Sequence, residues 1–237
     1  MAPLDIPSDF NKIDLGEGYM AYEVGVSSDP AIVLIQAWWG VTNEMVEHAR
    51  TIEKKGYRVA IPDLYLGSTA ESVLEAKHLM GELNWPGAEG AMKRLAEHFR
   101  KTGSSKVGAL GFCMGGALAV VASRSAGVDC AVSCYGIPPA TLAKPSDPMA
   151  PTLYVAGTRD HTMGFSDPAT VHAWVDASVA AGRPATLLEY EADHAFLAEG
   201  ATSEHHRKLT GHEVPLKEVQ AKAWSDIYDY LEKYLKA

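Results

Sequence analysis

The sequence predicts a single α/β domain with a mostly parallel central sheet and helices on both faces. Three observations support this class. Short runs rich in Val, Ile and Leu recur at strand length, amphipathic segments of helical length separate them, and no repeat or Gly/Ser-rich linker interrupts the alternation after about residue 18. A chain of 237 residues can bury a substantial core as one domain, so we assign one domain to residues 1–237.

The strands are predicted from apolar runs bounded by turn residues. In chain order they are 18–25, 31–39, 57–64, 106–112, 130–136, 152–157 and 185–190. The intervening amphipathic segments predict helices. These cover about 43–55, 72–82, 88–101, 114–124, 168–181 and 216–236. Two irregular stretches, 136–150 and 198–214, are longer than ordinary connections, which indicates pocket walls or lids.

Composition limits the partners and the location of the protein. The 21 basic and 30 acidic residues give a formal net charge of -9, so we expect no nucleic-acid partner. The sequence has no signal-peptide pattern and no run of the ~18 apolar residues that a membrane span needs, so we expect a cytoplasmic protein without a membrane partner. We also expect a monomer or a weak homodimer with a small-molecule partner.

A strand-to-helix turn around Cys113 carries the strongest chemical signal. Residues 111–116 read Gly-Phe-Cys-Met-Gly-Gly, directly after an apolar run and before the helix-forming residues 117–122. Gly-x-Cys-x-Gly in this setting is typical of a nucleophile elbow, in which the glycines allow a sharp turn. The sulfur then lies at a helix N-terminus, which favours the thiolate form that attacks carbonyl carbon.

The two other cysteines differ in context from Cys113. Cys130 and Cys134 lie within an apolar strand without a flanking glycine turn, and their four-residue spacing puts them on the same face. An odd number of cysteines argues against a disulfide framework. We therefore expect these two residues to be core thiols.

A base and an orienting acid follow the nucleophile in chain order. One late strand ends in Gly-Thr-Arg-Asp at 157–160, and the next leads to Asp-His-Ala-Phe at 193–196. The order Cys113, Asp160, His194 is the one that α/β-hydrolase folds use at the carboxyl edge of the sheet. His161 is the weaker rival base. Asp193 is the rival acid, and its position directly before His194 disfavours the required hydrogen bond.

The oxyanion hole and part of the pocket wall follow from the same edge. One N–H group should come from Met114, the residue after the nucleophile, and the second from Trp38 in the loop after an early strand. Trp38 and Trp39 are consecutive, so one of the two indoles is expected to line the substrate pocket.

Metal and nucleotide chemistry receive no support from the motifs. His205, His206 and His212 share one polar stretch, but their spacing matches no metal motif, and paired histidines in a charged segment are more often solvated. The phosphate-cradling glycine motif is absent as well. We therefore predict no metal and no cofactor.

These segments together resemble the dienelactone hydrolase (carboxymethylenebutenolidase) family of α/β-hydrolases with a cysteine nucleophile. The resemblance spans nearly the whole chain and rests on six segments in the expected order. They are 36–40 (Gln-Ala-Trp-Trp-Gly), 62–65 (Pro-Asp-Leu-Tyr), 111–116, Tyr135-Gly136, 157–160 and 193–196. The resemblance implies hydrolysis of an enol-lactone or related ester through an acyl-cysteine intermediate. It also implies a Cys113, Asp160, His194 triad, no cofactor, and a substrate pocket that includes Ala37, Trp39, Tyr65, Tyr135 and Phe196.

Three positions depart from the family pattern. Ala37 stands where the family has a glutamate that partners the cysteine, either as a natural change of activation scheme or as a substitution that quiets the enzyme. Gly67 and Ala198 stand where dienelactone enzymes carry the arginines that hold the substrate carboxylate. The sequence therefore predicts a substrate other than dienelactone. The alternative to a hydrolase is a binding protein that keeps the fold and pocket but has lost efficient chemistry.

Overall fold

Eight strands form one sheet in the part of the chain that the computed structural model describes, residues 6–237. The strands are β1 (Asn11–Gly16), β2 (Tyr19–Val24), β3 (Ala31–Ile35), β4 (Arg58–Asp63), β5 (Val107–Phe112), β6 (Cys130–Cys134), β7 (Thr152–Gly157) and β8 (Ala185–Tyr190). The helices are α1 (Asn43–Glu53), α2 (Val73–Gly81), α3 (Trp85–Lys101), α4 (Met114–Ser125), α5 (Pro168–Ala180), α6 (Gly200–Thr210) and α7 (Lys217–Leu235). The predicted α/β class is confirmed.

The strand order is β1-β2-β4-β3-β5-β6-β7-β8. Strand β2 runs antiparallel to both β1 and β4. The six strands β4, β3, β5, β6, β7 and β8 run parallel to one another. The parallel register aligns Ile35 with Gly111 and Phe112 with Cys134. The carboxyl ends of the central strands therefore meet along one edge, where the loops that follow them come together.

Alternation along the strands divides the core between the two faces of the sheet. Ile32 and Leu34 of β3 pack in the layer that contains α1 and α7, while Val33 and Ile35 pack in the layer that contains α3 and α4. Every residue of β3 through β7 is buried. This two-sided burial explains why those strands read as continuous apolar runs.

Several element boundaries differ from the sequence prediction. Strand β3 ends at Ile35, so both tryptophans belong to the following loop, and β6 ends at Cys134. Helix α3 begins at Trp85 because the Asn84 side chain accepts the Gly87 N–H as an N-cap. The sequence does not predict strand β1, because its exposed polar residues at an edge give little hydrophobic signal.

The stretch 198–214, expected to be irregular, contains helix α6. Its other predicted property, that of a pocket wall, is described below. The second irregular stretch, 136–150, has no helix or strand. Among the helices of residues 6–237, none is long and apolar enough to cross a membrane.

Candidate active site

Cys113 occupies a strained turn between β5 and α4. Its backbone has φ 54° and ψ -118°, a region that residues with a side chain rarely adopt. Its N–H donates to the Cys134 carbonyl at 3.0 Å, which holds the turn against the end of β6. The side chain is partly exposed, unlike those of Cys130 and Cys134. This is the backbone geometry of a nucleophile elbow.

Glycines are required around this turn because backbone atoms fill the space of a side chain. A Cβ on Gly111 would lie 1.9 Å from the Gly115 carbonyl oxygen, and one on Gly115 would lie 2.4 Å from that of Ile35. A Cβ on Gly136 would lie 2.1 Å from the Cys113 oxygen. The absence of side chains thus lets the N-terminus of α4 pack directly on the ends of β3 and β6.

The loops after β7 and β8 are joined by backbone hydrogen bonds. Thr158 N–H donates to the Tyr190 carbonyl at 2.8 Å, and Arg159 N–H donates to that of Ala192 at 2.9 Å. Asp160 lies near the start of the first of these loops and His194 in the second. Two residues that are 34 positions apart are brought together in this way.

His194 lies directly beside Asp160. Its Nδ1 is 2.7 Å from Asp160 Oδ2, and both side chains are buried. Asp160 Oδ1 accepts the Thr162 N–H at 2.9 Å, which fixes the carboxylate plane. Ser166 Oγ, fully buried, is 3.0 Å from the same Nδ1. The sequence does not predict Ser166, because a serine within a loop has no sequence signature for this position.

The rival acid Asp193 makes other contacts. Its Oδ1 accepts the backbone N–H of His194 at 2.7 Å, and its Oδ2 accepts that of Glu213 at 3.0 Å. Of the two aspartates, Asp160 is the one that meets the His194 ring. The rival base His161 is exposed.

The electrostatics of the His194 site favour a charged imidazole. Burial opposes the cation, but the charge and hydrogen bond of the Cys113 sulfur and of Asp160 outweigh it, raising the pKa of His194 to about 10. Burial likewise acts against the Asp160 carboxylate, yet His194, Thr162 and Ser166 together lower the pKa of Asp160 to about 2. Both shifts favour an imidazolium paired with a carboxylate.

Met114 follows Cys113 directly, and Trp38 lines the same two cavities as Cys113. Met114 is the first residue of α4, so its N–H has no acceptor within the helix. Trp38 lies in the tight turn after β3, in which Gly40 N–H donates to the Ala37 carbonyl at 3.2 Å. The close packing of Gly115 on the end of β3 brings the two segments to the same rim.

Two cavities open at this rim. One has a volume of about 550 Å³, and its walls are mainly apolar, with Val73, Met80, Phe165 and Leu209 among them. The other, about 50 Å³, has polar residues in its wall, including Glu44, Ser203 and His206. The residues shared by both cavities are Trp38, Cys113, His194, Thr210 and His212.

The predicted pocket residues divide into two groups. Ala37, Trp39 and Tyr135 line the small cavity. Tyr65 and Phe196 instead lie in the core: the Tyr65 hydroxyl donates to Met114 Sδ at 3.3 Å, and the Phe196 ring packs 5.6 Å from that of Tyr135. Each of the two therefore packs against a residue of a cavity wall, Met114 or Tyr135.

Helix α6 supplies wall residues that were expected to be solvated. His206 is buried because its ring stacks on Trp39 at 3.9 Å, with an angle of 4° between the planes. Arg207 lines the small cavity, and its Nη1 donates to the Ala198 carbonyl at 2.9 Å. Ser203, His206 and Thr210 recur at helical spacing, a periodicity that could have revealed this buried face.

The expectation that these histidines are solvated is therefore wrong for His206. His212 also lines both cavities. The same histidines were the candidates for a metal site. Within residues 6–237 no group of three or more His, Cys, Asp or Glu is arranged to hold a metal ion. Gly67 and Ala198 lack arginine side chains, as the sequence shows, whereas Arg207 of α6 is a wall residue of the small cavity.

An eight-stranded, mostly parallel sheet with a cysteine elbow and a His–Asp pair at its carboxyl edge defines an α/β-hydrolase fold. The chain belongs to the dienelactone hydrolase family, whose family model matches residues 17–235. This confirms the resemblance seen in the sequence.

Individual curated proteins and solved structures are also similar to this chain. The carboxymethylenebutenolidase of Pseudomonas putida is 30% identical over 145 residues, which cover 56% of this chain and 61% of that protein. The match thus spans less than two thirds of the relative's length. A Klebsiella pneumoniae protein described as a candidate dienelactone hydrolase superposes with a TM-score of 0.75 at 21% identity, covering 95% and 98% of the two chains. Esterase 2 of Thermogutta terrifontis superposes with a TM-score of 0.72 at 16% identity, covering 98% and 96%.

Proposed function

We propose that the protein hydrolyses a small ester or lactone through an acyl-Cys113 intermediate, with His194 and Asp160 completing a catalytic triad. The observation that carries this proposal is the buried His194–Asp160 contact at 2.7 Å beside a cysteine held at an elbow, with both Cys113 and His194 lining the same cavities. Nucleophilic catalysis needs an exposed nucleophile on a sharp turn. The strained backbone of that turn costs free energy, and packing of the core does not by itself require such strain.

The chemistry follows from these positions. The Cys113 thiolate attacks the carbonyl carbon, and the resulting oxyanion is held by the N–H groups of Trp38 and Met114. His194 then donates its proton to the leaving alcohol or enol oxygen while Asp160 holds the ring. Water hydrolyses the thioester and restores the thiolate. No cofactor enters this scheme.

The cavities favour a substrate with one bulky apolar side. The cavity of about 550 Å³ accommodates a ring or a medium-length chain, whereas that of about 50 Å³ has room for only a small group. Gly67 and Ala198 supply no guanidinium, and Nη1 of Arg207, the arginine in the small-cavity wall, already donates to the Ala198 carbonyl, so the proposed substrate differs from dienelactone. A related ester or lactone is consistent with relatives named carboxymethylenebutenolidase.

A binding role is the second candidate, and Ala37 is the observation that favours it. Ala37 lines the small cavity beside Cys113, at the position where the family has a glutamate. A chain without that carboxylate would keep the pocket and lose efficient activation of the nucleophile.

The test is a panel of aryl esters and lactones assayed on the wild type, on Cys113→Ser and on Ala37→Glu. We expect wild-type turnover, an acyl adduct on Cys113 by mass spectrometry, and a loss of about 10³-fold or more in kcat for Cys113→Ser. Cys130 and Cys134 serve as internal controls, since buried thiols should stay unmodified. Turnover found only in Ala37→Glu would favour the binding role, and wild-type turnover that survives in Cys113→Ser would overturn the hydrolase mechanism.

A further inference from the structure

A second histidine–aspartate pair lies at the junction of the two cavities. His212 follows α6 directly, after the left-handed Gly211 that ends the helix. Its Nδ1 is 3.4 Å from Asp193 Oδ2, and its ring centre is 5.1 Å from that of His194. Both cavities have His212 in their walls, together with Cys113 and His194. The reacting carbonyl must therefore lie close to two imidazoles.

The Asp193 carboxylate lies beside Nδ1 of His212. This carboxylate is held by the backbone N–H groups of His194 and Glu213, so it cannot follow a moving ring. A carboxylate only accepts, so its position beside Nδ1 favours the neutral tautomer of His212 that carries its proton on Nδ1 and its lone pair on Nε2. The side chain is 25% exposed, which gives water access to it.

The two imidazoles have opposite electrostatic preferences. Burial and the neighbouring His194 cation lower the pKa of His212, and the opposing effects of Asp193 and Asp160 do not reverse this. In the free enzyme the Cys113 sulfur and Asp160 raise the pKa of His194, which favours its cation. Acylation consumes the thiolate and passes the His194 proton to the leaving group, so both imidazoles are neutral in the acyl-enzyme. Only a neutral imidazole can receive a proton.

We propose that His212 is a second catalytic base, whose Nε2 receives a proton from the water that hydrolyses the acyl-Cys113 intermediate. This inference rests on the proposed function. The water oxygen forms a bond to the thioester carbonyl carbon as its first proton passes to His212. The C–S bond then breaks, and its electron pair returns to Sγ as thiolate.

The second proton of the water completes the balance. It leaves the carboxylic acid product and passes to His194, which had given its own proton to the leaving group during acylation. This restores the imidazolium opposite the thiolate, and His212 releases the first proton to solvent. Each of the two protons of the water thus has an acceptor, and one net proton is released.

The experiment is a rapid-mixing assay of His212→Gln with an activated aryl ester. We expect the burst of aryl alcohol to keep its amplitude and rate, because acylation uses His194. The steady-state phase should slow by about 10²-fold, the usual contribution of a general base. Hydroxylamine, a stronger nucleophile than water, should restore much of the steady-state rate. The matched control is His161→Gln, an exposed histidine for which both phases should equal those of the wild type.

Two results would overturn the role of His212. Unchanged burst and steady-state phases would show that the second base is not needed, and a joint loss of both phases that hydroxylamine does not restore would assign His212 to acylation or to folding. Failure of the proposed function gives a different result, since the wild type itself would then form no acyl adduct on Cys113.

Discussion

His194 is held between two groups that stabilise its charge, and this sets how the site responds to pH. The imidazole contacts the Asp160 carboxylate at 2.7 Å and interacts with the Cys113 sulfur. Together these two interactions outweigh the free-energy cost of burying the cation. The same residue-level pattern explains why Asp160 stays ionised inside the protein although burial alone would favour its neutral form.

The first prediction concerns the acid stability that Asp160 supplies. Its pKa is about 2 in the folded protein and 3.8 ordinarily, so the contribution is present above pH 3.8 and is lost as the pH falls through about 2. The linkage amounts to about 2 kcal/mol. Asp160→Asn should therefore lower the free energy of unfolding near pH 6, and the difference from the wild type should shrink below pH 3. Urea unfolding at a series of pH values measures this.

The control for this prediction is Asp176→Asn, which removes an exposed carboxylate of α5. Its unfolding curve should follow that of the wild type at each pH. A difference between Asp160→Asn and the wild type that stays constant from pH 6 to pH 2 would contradict the assigned cause.

At the scale of elements, the site depends on direct backbone packing of α4 on β3. Gly115 is the point of contact, because its lack of a side chain lets the start of α4 approach the carbonyl groups of Ile35 and Gln36. Helix α6 contributes separately: between Gly200 and Gly211, both with positive φ, it carries wall residues of both cavities. One element thus holds the nucleophile, and the other shapes the space in front of it.

The second prediction is that Gly115→Ala separates these elements. Its Cβ would lie 2.4 Å from the Ile35 oxygen and 2.5 Å from that of Gln36, and neither backbone group can move alone. We expect a loss of about 3 kcal/mol or more in the free energy of unfolding, with loss of esterase turnover. Chemical denaturation and a steady-state assay measure the two effects.

Gly81→Ala is the matched control, because Gly81 ends helix α2 without a positive φ, and a Cβ added there would have no other atom within 4 Å. This change should leave stability equal or slightly higher. Equal effects of the two alanine substitutions would contradict the packing argument.

At the scale of the whole molecule, a buried ion pair joins the antiparallel edge to the parallel sheet. Arg58 Nη2 of β4 donates to Glu23 Oε2 of β2 at 2.7 Å, and the two side chains are 3% and 9% exposed. Arg58 Nη1 also donates to Thr102 Oγ1 at 2.7 Å, at the end of α3. Three elements are therefore linked through one guanidinium.

The third prediction is that Glu23→Gln lowers the free energy of unfolding by about 3 kcal/mol, because it leaves the buried guanidinium without its counter-charge. Removing both charges in Glu23→Leu/Arg58→Met should recover much of the loss. Urea denaturation of the three proteins measures this.

The comparison for this pair is Glu17→Gln, which breaks an exposed contact with Arg94 at 3.3 Å. It should cost less than about 1 kcal/mol, as surface pairs usually do. A loss in Glu23→Gln no larger than that in Glu17→Gln would show that the buried pair does not stabilise the junction.

The sequence by itself determined the α/β class, the family and the order Cys113, Asp160, His194, because apolar periodicity and glycine-bounded turns are local properties of the chain. It missed the polar edge strand β1 and helix α6, whose hydrophobic signals are weak.

Only the tertiary structure decided which side chains meet. Backbone hydrogen bonds between two loops bring Asp160 to His194, and stacking on Trp39 buries His206 despite its polar neighbours. His212 lies beside His194, next to Asp193, whose carboxylate contacts His212 and accepts the N–H of Glu213. These contacts join distant parts of the chain, so local periodicity can indicate that a face is buried but cannot show which side chains it meets.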